Sequence, residues 1–256
     1  MTSADPTHGH NEPGYFDRIA HSYDSHRSPL GPHVARLHAL VAEAKAERML
    51  EIGPGTGNSA LVFREGFDGT LFGLDRSLGM LRENAQKHIA MQRVNGSATQ
   101  IPFASNSFQF IFAVLAIHHV RELGALMSEC FRVLDTGACA FATAPRQFID
   151  TYPLNDYFPS FAPIDRERFQ HEDDVADGFS NAGFNNVEKV FFKRTPEPID
   201  AQYVEKVENQ FISTYALLPE EEFRDGLARL KADVARDGQL STPMVWESVV
   251  ISGWKR

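Results

Sequence analysis

Cysteine is nearly missing from this chain. Cys130 and Cys139 are the only two among 256 residues, too few for a disulfide framework and in keeping with a reducing compartment. Neither has neighbours that would make a reactive thiolate, so both are expected in the core. Long apolar runs are missing too. The longest uncharged apolar stretch, Phe110 to Ile117, is strand-sized and well short of the roughly 18–20 residues of a membrane span. Positive charge is scarce: 25 Lys and Arg stand against 34 Asp and Glu, a net charge of −9. That argues against a partner held through nucleic-acid phosphates, where a basic face is expected. Residues 1–16 contain no apolar segment, so no secretory leader is expected and the chain reads as cytoplasmic. No internal repeat or low-complexity tract is present.

What is there is unevenly spread. Residues 1–146 carry 13 basic and 14 acidic side chains, whereas 147–256 carry 12 and 20. Six of the ten histidines (His8, His10, His21, His26, His33 and His38) fall within the first 38 residues. His8 and His10 lack a third ligand nearby, so no metal site is expected. Helical periodicity covers Tyr15 to Asp24 and Pro32 to Arg48, with Val34, Leu37, Leu40 and Val41 at three- and four-residue steps.

The period then switches. Met49–Ile52, Thr70–Asp75, Met91–Asn95, Phe108–Leu115 and Gly137–Ala144 read as buried strands. Helices are expected between them at Asn58–Glu65, Ser77–His88 and Glu122–Leu134. Such alternation predicts an α/β fold with a parallel sheet covered on both faces. Further on, Phe148–Phe169, with six aromatics and three prolines, reads as a structured loop. A helix over His171–Ala182, a strand over Val187–Lys193, helices over Ile199–Leu217 and Glu220–Arg236, and a last strand over Met244–Trp254 follow.

The informative segment is Glu51-Ile52-Gly53-Pro54-Gly55-Thr56-Gly57. Three glycines between a strand and a helix let the backbone take positive φ and approach a ligand closely. The following helix aims free N–H groups at the crevice. Asp75, ending the next strand, is placed to accept hydrogen bonds from the two hydroxyls of a ribose. Together these predict an adenine nucleoside at the carboxyl end of a parallel sheet. Gly55-x-Gly57-x-x-Ala60 also satisfies the dinucleotide fingerprint, so an NAD-dependent oxidoreductase is the alternative on these residues alone.

Met49 to Gly57, followed by Leu71-Phe72-Gly73-Leu74-Asp75-Arg76-Ser77, resembles the first motifs of the class I S-adenosylmethionine-dependent methyltransferases. Asn95 to Phe103, Asn106 to Phe112, Ala116-Ile117-His118-His119-Val120, Phe131 to Leu134 and Gly137 to Ala140 resemble the next ones, in the right order. Tyr15-Phe16-Asp17-Arg18-Ile19-Ala20 with Tyr23-Asp24 is similar to the opening of the ubiquinone/menaquinone-type branch. The C-terminal part looks more loosely like small-molecule methyltransferases of the trans-aconitate type. The resemblance implies a Rossmann-like, seven-stranded, mostly parallel sheet whose last strand is antiparallel. It implies S-adenosyl-L-methionine as cofactor and a small-molecule methyl acceptor, attacked through O, N, S or C in a direct in-line displacement. A non-catalytic relative that only binds the cofactor is the other possibility kept open, and the oligomeric state is left open too.

The resemblance also assigns residues. Glu51 with Gly53, Pro54, Gly55 and Gly57 would hold the aminoacyl end of the cofactor. Asp75 would hold the ribose, Arg76 and Met80 would flank the adenine, and Ser97 and Ala98 would meet its edge. Leu115 would lie beneath the methionine part. Tyr15, Tyr23 and Arg27 are expected either to close over the cofactor as a lid or to pack as an ordinary N-terminal helix. The family usually has an acid where Ser97 stands and often one where Gln109 stands. Losing one neutral hydrogen bond there costs about 1 kcal/mol, so adenosine binding is expected to survive. His118, with His119 beside it, is expected at the crevice mouth as a general base or as a loop-shaping signature. Expected boundaries are residues 1–45 for tail and helical lid, and 46–196 for the cofactor-binding core with an aromatic loop near 147–170. Residues 197–240 are expected as a helical insert on the substrate side and 241–256 as the final strand.

Overall fold

The computed structural model describes residues 14–24 and 31–256, and Arg27, His8, His10 and His26 lie outside them. Seven strands form one sheet: β1 (Arg48–Ile52), β2 (Thr70–Asp75), β3 (Gln92–Asn95), β4 (Phe108–Val114), β5 (Leu134–Thr143), β6 (Asn185–Lys193) and β7 (Glu247–Lys255). Their order is β3-β2-β1-β4-β5-β7-β6. The first five strands pair in parallel, and β7 runs antiparallel to both of its neighbours, β5 and β6. The expected fold is therefore the observed one. The order reverses between β1 and β4, which makes the crevice beyond Ile52 and Val114 the topological switch point where ligands bind in such sheets.

Helices cover both faces. In chain order they are α1 (Tyr15–Ile19), α2 (His33–Glu43), α3 (Asn58–Arg64), α4 (Leu78–Gln86), α5 (Leu123–Val133), α6 (Arg146–Asp150), α7 (Phe161–Arg168), α8 (Glu172–Asn181), α9 (Ala201–Glu208) and α10 (Glu220–Asp237). Because both faces are covered, central strands are apolar throughout rather than alternating. In β4, Phe108, Ile111 and Ala113 join one core cluster while Phe110 and Phe112 join the other. Cys130 and Cys139 are buried free thiols, as expected. No helix of the described residues is long and apolar enough to cross a membrane.

Local chemistry sets the helix ends. Ser77 caps α4 by accepting from the Met80 N–H at 3.0 Å. Asp200 caps α9 by accepting from the N–H groups of Gln202 and Tyr203, each at 3.0 Å. Two expectations for the second half are corrected. Phe148–Phe169 is a loop only in its middle: α6 covers its start and α7 its end, with turns over residues 151–160 between them, and Pro163 falls in the first turn of α7, where a missing N–H leaves no intrahelical bond unmade. Ile199–Leu217 is not one helix. α9 ends at Glu208 in a Schellman turn, with Gln210 left-handed (φ 50°) and bonds from Gln210 N to Val207 O (2.9 Å) and Phe211 N to Lys206 O (3.1 Å). A 3-10 turn over Ser213–Leu217 follows.

These corrected segments share a third apolar cluster. Phe148, Tyr152, Leu154, Phe158, Phe161 and Ile164 pack against Ile199, Tyr203, Val207, Phe211, Tyr215, Leu230 and Met244. The expected apolar face of Tyr203, Val207, Phe211 and Tyr215 is indeed buried, although a helix break runs through it. This cluster stands over the carboxyl end of the sheet, opposite the glycine turn, across a shared cavity.

Candidate functional site

The turn after β1 is built by its glycines. Gly53 adopts φ 68° and donates its N–H to Leu74 O at 2.8 Å. A Cβ on Gly53 would stand 2.7 Å from Ala116 Cβ, so a side chain is barred by the turn after β4 as well as by the backbone. Gly55, at φ 52°, has no atom within 4 Å of the place a Cβ would take, and faces open space. Gly57 starts α3 and packs on Asn84 and Ile89, away from the cavity wall.

Two carboxylates lie under this turn. Glu51 is fully buried; one oxygen accepts from the Ser59 hydroxyl and the other, Oε2, has no hydrogen-bond partner. Burial pushes its carboxyl up to about 8, the Ser59 hydroxyl opposing and the nearby Asp75 charge adding to the rise. Glu51 sits behind the cavity wall, while Ser59 is part of it. Asp75 ends β2 and does line the cavity. Its Oδ2 accepts from Gly55 N and its Oδ1 from Ser77 N, both at 2.9 Å. Each oxygen keeps a second lone pair. Burial, joined by the Asp17 charge, raises the Asp75 carboxyl above the ordinary range, against the N–H groups of Ser77, Gly55 and Arg76.

The N-terminal segment is strapped over the same turn by two of its acids. Asp17 in α1 accepts from Ser77 Oγ (3.0 Å) and Gly79 N (2.5 Å), at the N-terminus of α4 where a negative charge is favoured. Asp24 accepts from Thr56 Oγ1 (2.6 Å) and Asn58 Nδ2 (2.9 Å) and pairs with Lys87 at 2.6 Å. Partial burial would raise the Asp24 carboxyl, but Lys87, Thr56 and Asn58 together hold it below the usual range. Tyr15, Phe16 and Tyr23 from this segment face the cavity.

A single cavity of about 950 Å³ joins these parts. Of the sequence-predicted residues, Tyr23, Gly53, Pro54, Gly55, Asp75, Arg76, Met80, Ser97, Ala98, Leu115, His118 and His119 line it; Glu51 and Gly57 support it from behind. Ser97 is turned toward Thr99, Oγ to Oγ1 at 2.9 Å. Gln109 lies at the other, amino-terminal end of the sheet, where its Oε1 accepts from Arg48 N at 3.0 Å. An acid missing from that position therefore takes nothing from the site.

Beyond β4 the backbone is strained. Leu115 is left-handed (φ 49°) and 47% exposed, with its N–H held by Ala142 O at 2.8 Å. An apolar residue in that conformation is uncommon and occurs where a site imposes it. His118 and His119 follow in a 3-10 turn with ring centroids 3.9 Å apart. The His118 ring stacks on Phe169 at 4.0 Å, and His119 meets Phe16 edge to face at 4.8 Å. The histidines thus join the N-terminal segment to the aromatic segment.

The far wall was the part least legible in the sequence. Phe148, Tyr152, Phe161, Phe169, Phe211 and Trp246 supply aromatic surface. Asp165, Thr214 and His33 supply polar groups. His33 is buried, with Nδ1 3.1 Å from Ser248 Oγ, and burial, then the Arg194 charge, lowers it to about 4, so it is neutral at physiological pH. The signal for this wall was the aromatic density of 148–169, which does face the cavity.

With the geometry described, comparison with known proteins gives a consistent picture. Residues 50–142 match the model of a methyltransferase domain. The demethylmenaquinone methyltransferase of Roseiflexus castenholzii is 32% identical over 162 residues, covering 58% of this chain and 67% of that protein. Across two further such relatives the chain spans from 53% to 73% of their lengths. A methyltransferase assigned to an antibiotic biosynthesis pathway in Anabaena variabilis superposes with a TM-score of 0.69 at 19% identity, over 85% of this chain and 96% of that one. Phosphoethanolamine N-methyltransferase 2 of Haemonchus contortus, solved with S-adenosyl-L-methionine, gives 0.59 at 16% identity over 98% and 60%. None of these findings favours the oxidoreductase alternative. On sequence, fold and cofactor cradle, the chain belongs to the class I S-adenosylmethionine-dependent methyltransferases.

Proposed function

We propose that this chain transfers the methyl group of S-adenosyl-L-methionine to a small-molecule acceptor held between the glycine turn and the aromatic wall. The observation that carries this reading is the continuity of the cavity, which runs from Gly53, Gly55 and Asp75 to Tyr152, Phe211 and Trp246 without a partition. Its volume is in the range of small-molecule sites. A cofactor and an acceptor bound in one continuous cavity can meet in line, which is most of what a methyl transfer requires of its protein.

Two observations support the fit of the cofactor. The buried, unpartnered Oε2 of Glu51 asks for a cation, and the open face of Gly55 admits a ligand against the backbone. In this reading Glu51, with Ser59, draws in the ammonium of the aminoacyl end. Asp75 takes the ribose hydroxyls on its remaining lone pairs. Arg76 and Met80 flank the adenine, Ser97 and Ala98 meet its edge, and Leu115 supports the methionine chain. When bound, S-adenosylmethionine supplies an electrophilic methyl on a sulfonium. Tyr15, Phe16 and Tyr23 exclude water over the reacting pair, and His118 takes the acceptor's proton, its ring plane fixed by Phe169 and His119. The described residues 14–24 then act as lid, 46–196 and 241–256 as the cofactor-binding body, and 197–240 as the acceptor side.

The surplus of acid beyond residue 146 supports a small molecule over a nucleic acid. The test is methyl transfer from tritiated S-adenosylmethionine to a panel of phenols, amines, thiols and carboxylates. Label incorporated into one class is the expected result. Tight cofactor binding with no transfer to any class would favour the non-catalytic alternative.

A further inference from the structure

One stretch of the cavity wall, between the start of α2 and the first residues of β7, has no part in the cofactor reading. Gly31, His33, Arg194 and Ser248 line it. His33 is the first residue of α2 and only 5% exposed. Its Nδ1 lies 3.1 Å from Ser248 Oγ, while its Nε2 is buried with no hydrogen-bond partner among the described residues. A buried ring nitrogen ordinarily has a partner, and the cavity is where one can come from. Glycine at position 31 keeps the space beside it clear. A Cβ there would stand 3.1 Å from His33 Nδ1 and 3.6 Å from Arg194 Cδ, close to both side chains.

Charge on this wall decides what that partner is. Arg194 follows β6, its backbone N–H donating to Trp246 O at 2.8 Å. Burial first, then the Arg194 charge, lowers the basicity of His33, so a neutral imidazole stands in a positive field. The eleven-residue helix α2 turns the positive end of its dipole the same way. The acids on this side have bases of their own. Glu247 pairs with Lys193 at 2.7 Å, and Asp165 lies 3.2 Å from Arg168. Glu197 lies 3.7 Å from Lys206 and accepts from Trp246 Nε1 at 2.5 Å. A cation against His33 would meet the field of Arg194, whereas an anion gains from it. With Ser248 donating to Nδ1, the ring proton sits on Nε2, where an anion can accept it. None of these four wall residues falls within 50–142, the part that matches the family model, so they bear on the acceptor of this chain rather than on the shared cofactor site.

We propose that this wall is an anion subsite, where Arg194 and the Nε2–H of His33 hold a carboxylate or phosphate that the methyl acceptor carries apart from its nucleophile. The inference rests on the methyltransferase reading, and its test separates the two. Full-length protein saturated with S-adenosylhomocysteine is titrated calorimetrically, near neutral pH, with phenylacetate, phenyl phosphate, phenylacetamide and phenethylamine. All share a phenyl ring, so differences report the polar group. At least one anion should bind about tenfold or more tightly than the amide, and the amine should bind most weakly. The tighter anion assigns carboxylate or phosphate. Arg194→Gln should weaken that anion about tenfold, the loss of one hydrogen bond to a charged group, with the amide and S-adenosylhomocysteine unchanged. His33→Leu should weaken it too, and His33→Gln, which keeps an N–H donor, should restore it. Where one position does not tolerate replacement, the other decides. Equal anion affinity in wild type and the folded variants overturns the proposal. So does a preference for amide or amine, or binding of none of the probes by protein that holds S-adenosylhomocysteine. Loss of S-adenosylhomocysteine affinity in Arg194→Gln would give the wall to the cofactor's own carboxylate and overturn it as well. Failure of the wild type to bind S-adenosylhomocysteine would instead overturn the methyltransferase reading.

Discussion

Replacing Glu51 with glutamine keeps the shape of a buried side chain while removing its ability to ionise, and the consequence depends on pH. Burial raises this carboxyl from an ordinary 4.5 to about 8. In the unfolded chain it ionises near 4.5; in the folded protein it holds its proton until near 8. Between those values the folded state binds more protons, so the contribution of Glu51 to stability is fully present below about pH 4.5 and is lost as pH rises toward about 8. At 1.36 kcal/mol per pH unit the full loss has a ceiling of about 5 kcal/mol. Glu51→Gln does not titrate and escapes it. Urea unfolding followed from about pH 4 to about pH 9 should therefore show wild-type stability falling relative to the variant by up to about 5 kcal/mol, then levelling. The same carboxyl must ionise to pair with an ammonium. Binding of S-adenosylhomocysteine at about pH 7 should release close to one proton from the wild type and none from Glu51→Gln, read by calorimetry in two buffers of different ionisation enthalpy. Parallel stability curves together with equal proton release would refute the reasoning.

Three further outcomes follow from the same geometry. Asp75→Ala should weaken S-adenosylhomocysteine by about 10- to 100-fold, from lost charged hydrogen bonds of about 1.5–3 kcal/mol; unchanged calorimetric affinity would remove the ribose role. Gly53→Ala meets both a φ of 68° and Ala116 Cβ at 2.7 Å, and should cost about 1–3 kcal/mol in urea unfolding. An unchanged midpoint would show that the turn tolerates a side chain. Leu115→Gly relieves a left-handed residue that is half exposed, and should leave thermal stability equal or about 1 kcal/mol higher while slowing methyl transfer. Lower stability with full activity would contradict the assignment of that strain to function.

The fold was legible because its signals are local. Apolar strands alternating with periodic helices and glycine-rich turns define the parallel half, and Thr70–Asp75 even has the bounds expected of it. The second half was less legible for identifiable reasons. Pro153, Pro159 and Pro163 read as loop, although Pro163 occupies a first helical turn where proline is tolerated. The Schellman turn at Asn209–Phe211 uses glutamine where glycine is usual, so the end of α9 carried no mark. The cofactor side of the site was visible because one short segment supplies its turn. Asp17, Asp24, Asp165 and His33 were not, since their partners lie far along the chain: Ser77 and Gly79, Lys87, Thr214, and Ser248.

The identity of the nucleoside ligand underlies everything above, and one titration tests it. Calorimetry of the intact chain with S-adenosylhomocysteine and, separately, with NAD should give saturable one-to-one binding of the first and no detectable binding of the second. Binding of NAD alone would contradict the account.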